Sequence, residues 1–186
     1  MARAEMFQDN RRESQIAAFL GLNASERRAG EDATDADGNA FELKSASNNQ
    51  VTTGRDVGVH TIEKWRGVFW IVAVGTQDEN GLQMTALFVA HPMHLEPWFG
   101  SLEAVLKEEE RRYMRVLRAA KKGGANAEDI EFVKQKCKRG ITRNNPKIPL
   151  QLFRERGLAL DHQNAAAARR QLAQFVQAHP LLRAED

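Results

Sequence analysis

Three residues in the first quarter of the chain have the types and spacing that phosphodiester hydrolysis requires. Asp32 precedes Glu42 by ten positions, and Lys44 follows Glu42 by two. Residues two apart on a strand share one face, so Glu42 and Lys44 lie side by side if their segment is extended. Two carboxylates can bind Mg²⁺, which prefers oxygen ligands, and a neighbouring ammonium can position water and stabilise charge on a phosphate. The spacing therefore predicts a metal-dependent hydrolytic site at these three residues.

The same segment also has two other interpretations, a solvated surface strand and a calcium-binding loop. Acidic turns and Glu–Lys pairs are common on exposed surfaces, so the spacing by itself also fits a solvated strand. A calcium-binding EF-hand loop is excluded by counting. If Gly38 took the sixth position of such a loop, the first and twelfth positions would be Ala33 and Lys44 instead of two acids.

A strand pattern surrounds the candidate residues. "DADG" at 35–38 predicts a turn, and "NAFELKSA" at 39–46 then alternates apolar and polar residues. "GVFWIVAVG" at 67–75 is continuously apolar, as in a central strand covered on both faces. "LQMTALFVA" at 82–90 predicts a further strand. Together these segments predict a small mixed sheet whose first strand carries the charged residues.

Helices are predicted around this sheet. Asn10 and Glu13 have the spacing of a capping box before an amphipathic helix. A helix is predicted from Ser101 to "KKGG", another after the cap Asn126, and a third over 163–178, whereas Pro92 in "HPMH" predicts a loop. We expect an α/β (α+β) fold with a mixed central sheet flanked by helices. Residues 1–186 are predicted to form one domain, with a helical insertion at about 100–140 and a C-terminal helical extension at about 160–186.

Bulk composition narrows the class of protein. The chain has 186 residues, a net charge of +2 and one cysteine, Cys137, which cannot form an internal disulfide. The first 13 residues contain no apolar run of signal-peptide length, and no stretch approaches a membrane span, so a cytoplasmic protein without a membrane segment is expected. Residues 134–147 carry six basic residues and no acid. An acidic site plus a basic strip suits an enzyme that binds a cation and a polyanion.

Three separated blocks resemble one enzyme family. "FQDN" at 7–10, "GEDATDADGNAFELKS" at 30–45 and "NNPKIP" at 144–149 are similar, in order and spacing, to PvuII-like type II restriction endonucleases of the PD-(D/E)xK nuclease superfamily. "EKWRGVFWIVAV" at 63–74 resembles a strand of that family. The resemblance implies a restriction-endonuclease-like fold and a Mg²⁺-dependent enzyme that hydrolyses both strands of duplex DNA at a short palindromic site, leaving 5′-phosphate ends.

The resemblance also assigns roles at the candidate site. Asp32 and Glu42 match the metal-binding carboxylates of the family, and Lys44 matches its catalytic lysine. Asp9, within "FQDN", matches a position close to the DNA minor groove. The family resemblance and the chemistry of the residue types therefore indicate the same three catalytic residues.

Further positions match the DNA-recognition residues of the family. Asn144 and Asn145 match base-reading positions, and amide side chains can pair bidentately with adenine in the major groove. Lys147 is expected to hold a phosphate, which positions the protein without reading sequence. The paired base-reading histidines of the family fall on Arg55 and Asp56 here, which suit guanine and cytosine. The recognised bases are therefore left open by the sequence.

Partners follow from the same class. A palindromic site cut on both strands fits a two-fold symmetric homodimer, and the helices from 101 and 163 are candidate interface segments. A cognate DNA methyltransferase is expected in the same cell. Two other functions are open: a structure-specific or repair nuclease of the same superfamily, and a DNA-binding module without catalytic activity. The second leaves Glu42 and Lys44 without a purpose.

Overall fold

The computed structural model of the chain describes residues 2–25, 31–79 and 81–181, without the side chains of residues 2–10, 77, 121 and 139. The chain divides into two compact units. The first comprises Met1–Thr53, Trp65–Leu95 and Lys147–Asp186, and the second comprises Gly54–Lys64 and Glu96–Pro146. A single domain over residues 1–186 stays a prediction.

The first unit is built on a six-stranded mixed sheet. The strands of the chain are β1 Asn23–Ala24, β2 Ala33–Thr34, β3 Ala40–Ala46, β4 Gln50–Thr52, β5 Phe69–Asp78, β6 Gly81–Ala90, β7 Lys147–Pro149 and β8 Leu158–Leu160. The large sheet has the order β1-β2-β3-β5-β6-β8, and β4 pairs with β7 in a separate two-stranded sheet. Strands β3 and β5 are parallel, and the other pairs in both sheets are antiparallel.

Six helices accompany the sheets. They are α1 Ala2–Leu20, α2 Val59–Trp65, α3 Pro92–Lys121, α4 Ala127–Arg139, α5 Leu150–Arg156 and α6 Ala165–Ala178. The mixed sheet flanked by helices confirms the predicted fold class. No helix in the described ranges is long and apolar enough to cross a membrane.

The central strand β5 is the most completely buried element of the first unit. Residues 69–73 are fully shielded from solvent, as the continuous apolar run at 67–75 predicts. On β3, Phe41 and Leu43 are fully buried in the main hydrophobic core, as the alternation predicts, and Glu42 between them is also buried. Helices α1 and α6 contribute to that core with Ile16, Ala17, Leu20, Ala168, Leu172, Phe175 and Val176. Because Phe41 and Leu43 face this core, the residues between and after them point away from it.

Two predicted helix boundaries were wrong. Helix α1 continues back to Ala2, so Asn10 lies within it and does not cap it. The preceding Ala, Glu, Met and Gln residues are good helix formers, which explains the extension. The segment 91–94 is not a loop, because α3 begins at Pro92. Proline is well accommodated at the first helical position, where its missing N–H would have no intrahelical partner.

The second unit contains an α3–α4 hairpin joined by polar contacts. Asn126 caps α4, as predicted, by accepting a hydrogen bond of 2.8 Å from the Asp129 backbone N–H. Between the helices, the Lys136 ammonium lies 2.5 Å from a Glu109 carboxylate oxygen, and the Tyr113 hydroxyl lies 3.1 Å from the Cys137 sulfur. These contacts fix the face of α4 that is turned toward α3.

Three histidines cluster in the first unit where the start of α3 meets the end of α6. The ring centroids of His91 and His94 are 6.1 Å apart, and those of His94 and His179 are 6.3 Å apart. Nδ1 of His94 is buried with no hydrogen-bond partner among the described residues. Burial lowers the pKa of His91, and the neighbouring His94 and His179 lower it further. Burial likewise lowers the pKa of His94, with His179 and Arg156 adding to the effect.

The free energy of unfolding is therefore expected to fall in acid. Since the folded-state pKa values of His91 and His94 lie below 6.5, the unfolded chain takes up protons first as the pH drops through 6.5, and stability is lost from there down to the folded-state pKa values. A His94→Phe variant should show a smaller loss of melting temperature between pH 8 and pH 5.5. His60→Gln is the matched control, since the His60 side chain is 97% exposed. An unchanged pH dependence in His94→Phe would contradict this assignment.

Candidate active site

A tight turn between β2 and β3 sets the geometry of the site. One Asp35 carboxylate oxygen accepts hydrogen bonds from the backbone N–H groups of Asn39, at 2.8 Å, and Asp37, at 3.0 Å. Gly38 adopts a φ of 81°, which glycine reaches without a steric penalty. Asp35 therefore stabilises the turn through these backbone hydrogen bonds.

The register of the β2–β3 hairpin explains the ten-residue spacing. Ala33 pairs with Phe41, so the same antiparallel register continued by one residue places Asp32 opposite Glu42. Directly opposed residues lie on the same face of a sheet. Asp32 is held there by its side chain, which accepts a hydrogen bond of 2.8 Å from the Leu43 backbone N–H. The hairpin therefore brings the two predicted metal ligands to the face that points away from the core.

Four oxygen atoms surround the Lys44 ammonium. Its Nζ lies 2.9 Å from Asp32 Oδ2, 3.0 Å from Glu42 Oε1 and 3.1 Å from Glu13 Oε1. It also donates a hydrogen bond of 2.7 Å to the Leu43 backbone carbonyl. Glu42 is only 6% exposed, so this cluster is largely withdrawn from water. Asp32, Glu42 and Lys44 are thus brought together, and a third acid joins them.

Glu13 is the member of the cluster that sequence reasoning missed. Its place three residues after Asn10 suggested a capping box. However, Glu13 also precedes Ile16, Ala17 and Leu20 by three, four and seven positions, so it shares the buried stripe of α1. A carboxylate at the head of a buried stripe is unusual without a partner, and this was the signal that could have identified it.

The pKa values of Glu13 and Lys44 are both raised within the cluster, but for different reasons. Burial raises the pKa of Glu13 to about 7, with Asp32 and Glu42 adding to the effect and Lys44 opposing it. Burial would lower the pKa of Lys44, but the charges of Glu42, Asp32 and Glu13 outweigh burial and raise it above its usual value. Lys44 is therefore an ammonium at neutral pH, and it donates hydrogen bonds to its neighbours.

The donor atoms of the cluster suit a hard divalent cation. Mg²⁺ is usually bound by one or two carboxylates, with waters and substrate phosphate completing its shell. Asp32 and Glu42 provide two such carboxylates, and their oxygens already lie around one cationic group, the Lys44 ammonium. Within the described residues, no three His, Cys, Asp or Glu side chains form a group that could hold a metal by themselves. The arrangement matches a cation that shares its ligands with water and substrate.

Three of the predicted DNA-reading residues line one cavity in the second unit. Arg55, Asp56 and Asn144 all border a cavity of about 530 Å³. The two segments that carry them are paired through backbone hydrogen bonds of 2.8 Å in both directions between Val57 and Arg143. A backbone bond of 3.1 Å from Asn145 N–H to the Gly54 carbonyl extends this pairing.

The remaining predicted DNA contacts differ in their surroundings. Asn145 has a φ of 48°, a left-handed conformation that asparagine tolerates. Lys147, in the first unit, donates a hydrogen bond of 2.7 Å to the Thr52 hydroxyl. Asp9 lies in α1, and its side chain is outside the described part of the structure. None of these placements tests a contact with DNA, so these roles stay predictions.

The basic strip at 134–147 is less positive than its sequence indicates. Glu109 on α3 binds Lys136 through one carboxylate oxygen and Arg143 through the other. One carboxylate, about 30 positions earlier in the chain, therefore offsets one of these two positive charges. Sequence reasoning confined to the strip could not detect this pairing.

Comparison with known proteins places the chain in a family. A family model described as "Restriction endonuclease PvuII" matches residues 2–117, which include α1, the β2–β3 hairpin and all three predicted catalytic residues. A search of curated proteins finds no match.

Proposed function

The chain belongs to the restriction endonuclease PvuII family, and, taking it as a type II site-specific endonuclease, we propose that it hydrolyses both strands of duplex DNA at a short palindromic site. The proposed reaction requires Mg²⁺ and leaves 5′-phosphate and 3′-hydroxyl ends. The convergence of Asp32, Glu42 and Lys44 within 3.0 Å is the observation that carries the proposal. Glu42 and Lys44 share a strand face and Asp32 opposes them across a fixed hairpin, so the three are preorganised.

Asp32 and Glu42 would hold the metal ion. A bound Mg²⁺ would supply Lewis-acid stabilisation of the phosphate charge and would lower the pKa of a bound water. The Leu43 backbone carbonyl lies beside these carboxylates, because it accepts a hydrogen bond from the same Lys44 ammonium. The three carboxylates and one ammonium leave an excess of negative charge when the acids are ionised, which favours binding of a divalent cation.

Lys44 would act directly on the phosphate under attack. Water attacks phosphorus in line with the 3′ oxygen and gives up a proton to solvent, the P–O3′ bond breaks, and the leaving oxygen gains a proton from solvent. Negative charge grows on the nonbridging oxygens during this step, and a preorganised ammonium stabilises it. Because its acidic neighbours keep Lys44 protonated, it holds this charge at neutral pH. Glu13, 3.1 Å from Nζ, would position the ammonium.

The DNA-binding roles follow the family resemblance. Arg55, Asp56, Asn144 and Asn145 would contact base edges, and Asp9 and Lys147 would face the minor groove and a phosphate. The positions of Arg55, Asp56 and Asn144 support this proposal, because these residues come from two chain segments and line one open, polar cavity. Polar groups held on paired segments are suited to reading base edges.

We also propose a homodimer, since two active sites related by a two-fold axis would cut both strands of a palindrome. Helices α3 and α6 remain the candidate interface segments, and on α3 the apolar side chains of Val105 and Met114 are 43% and 42% exposed.

A cognate methyltransferase would protect host DNA, and a cytoplasmic location would follow from sharing a compartment with that DNA.

Digestion of plasmid DNA tests the function directly. Purified protein with Mg²⁺ should give discrete fragments whose sequenced ends share terminal bases and carry 5′-phosphates. Glu42→Ala should give no fragments above background, because one of the two metal-binding carboxylates is removed. Glu155→Ala is the matched control, since Glu155 is exposed and bonds only Gln151 one turn away among the described residues.

The outcomes separate the candidate functions. Fragments with random ends, or cleavage only at branched DNA, would favour a structure-specific nuclease. Salt-sensitive DNA binding by folded protein without any cleavage in Mg²⁺ or Mn²⁺ would favour a binding module and contradict the proposal.

A further inference from the structure

The cavity lined by Arg55, Asp56 and Asn144 is also lined by a helix to which the family resemblance assigns no DNA-reading residue. Helix α4 contributes Gln135 to the same lining. Gln135 lies on the helical hairpin of the second unit, within the segment at about 100–140 that is predicted to be a helical insertion. A side-chain amide thus reaches the space where three predicted base-reading residues converge.

Several contacts fix the position of α4 at this cavity. Glu109 binds both Lys136, the residue after Gln135, and Arg143, which pairs with Val57. One carboxylate therefore links α4 to the segment that carries Asn144. A side chain on an anchored helix is better suited to reading bases than one on an unsupported loop.

The Gln135 side chain is available for a ligand. It is exposed, and its amide makes no hydrogen bond within the described part of the chain. Lys136 also lines the cavity, but its ammonium is held by Glu109 at 2.5 Å. A glutamine amide offers one donor and one acceptor in the geometry of the adenine major-groove edge. Among the α4 residues at the cavity, Gln135 is thus the one suited to reading a base.

We propose that Gln135 is a specificity-determining residue that reads the adenine of an A·T pair in the recognition site. The proposal rests on the proposed endonuclease function. It adds a reader from the helical hairpin to Arg55, Asp56 and Asn144, so that more of the site is read than by those three residues alone. Since a bidentate amide contact discriminates by a factor of about ten to a hundred, its loss should be visible at one position.

The test compares cleavage rates on a panel of DNA duplexes. The wild-type site is first determined by end sequencing, and kcat/KM is then measured for that site and for every single-base-pair change. Gln135→Met, which keeps side-chain length and helix propensity, should lose about tenfold to a hundredfold of discrimination at one symmetric A·T position. Discrimination at the other positions should be unchanged.

A matched control and a structural check accompany this test. Ile130→Ala removes an exposed neutral side chain from α4 that does not line the cavity, and it should keep the wild-type profile. Circular dichroism of Gln135→Met should match that of the wild type. Gln135→Ala should give the same positional loss with a shorter side chain.

The results distinguish two failures. If the wild type cleaves specific sites but Gln135→Met keeps full discrimination, or loses it equally at all positions, the role of Gln135 is overturned while the endonuclease function stands. If the wild type cleaves no discrete sites, the proposed function itself fails.

Discussion

Replacing Lys44 with methionine is expected to reduce kcat for DNA cleavage by about 10²–10³-fold with little change in DNA affinity. Methionine keeps most of the side-chain length and removes only the positive charge. The loss of one preorganised donor aimed at developing charge typically has this magnitude. Because phosphate contacts elsewhere dominate affinity for DNA, the binding constant should change far less than kcat. Single-turnover cleavage and fluorescence anisotropy measure the two quantities separately.

The same substitution should make folding depend on Mg²⁺. In Lys44→Met, the carboxylates of Asp32, Glu42 and Glu13 lose the ammonium that lies within 3.1 Å of all three. A buried acid that loses its partner is destabilising, and Glu42 is 6% exposed. A divalent cation at the site would restore neutralisation. The melting temperature of the variant should therefore rise more on addition of Mg²⁺ than that of the wild type.

Lys107→Met provides the control for both measurements. Lys107 pairs with Glu103 one turn away on α3, and its side chain is 54% exposed, so loss of that pair should cost little. Wild-type cleavage by folded Lys44→Met would show that Lys44 does not act on the phosphate. An equal Mg²⁺-induced shift in the wild type and Lys44→Met would contradict the view that the ion and the ammonium use the same carboxylates.

Local patterns were sufficient to predict the three longest strands, β3, β5 and β6, and the approach of Asp32 to Glu42 and Lys44, but not the short strands β1, β2, β4, β7 and β8. The alternation of residues 39–46 fixes which side chains face the core, and the turn at 35–38 then requires Asp32 to approach Glu42. These are short-range consequences of strand geometry, and they need no knowledge of the remaining chain. The same holds for the cap Asn126, whose role is decided within one helical turn.

Contacts between distant segments were not accessible in the same way. Glu13 joins Lys44 across 31 positions, and Glu109 joins Lys136 across 27. Neither pairing leaves a periodic signature, because each depends on how α1 or α3 is packed. The start of α3 at Pro92 was missed for a different reason. Proline is excluded from helix interiors but favoured at the first position, so its identity alone cannot distinguish a loop from a helix start.

Replacing Phe69 with alanine is expected to lower the free energy of unfolding by about 3–5 kcal/mol, the usual cost of deleting a buried phenylalanine. Phe69 is fully buried at the start of the central strand β5. Its ring lies 5.6 Å from that of Phe41 on β3 and 6.2 Å from that of Phe175 on α6. The neighbours belong to different elements, so they cannot all move inward to fill the space. Urea unfolding followed by tryptophan fluorescence measures the loss.

The effect of Phe69→Ala on activity should depend on temperature. Phe69 pairs in register with Phe41, the residue before Glu42, so the ring stabilises the strand that carries the candidate catalytic residues Glu42 and Lys44. Below the melting transition the variant should keep most of its kcat, since no reacting group is altered. Near the transition, cleavage should fall with the folded fraction.

Leu158→Ala is the control for the stability measurement. Leu158 lies on the edge strand β8 and is 39% exposed, so this substitution should change stability by less than about 1 kcal/mol. A Phe69→Ala protein as stable as that control would show that this core can close around the missing ring.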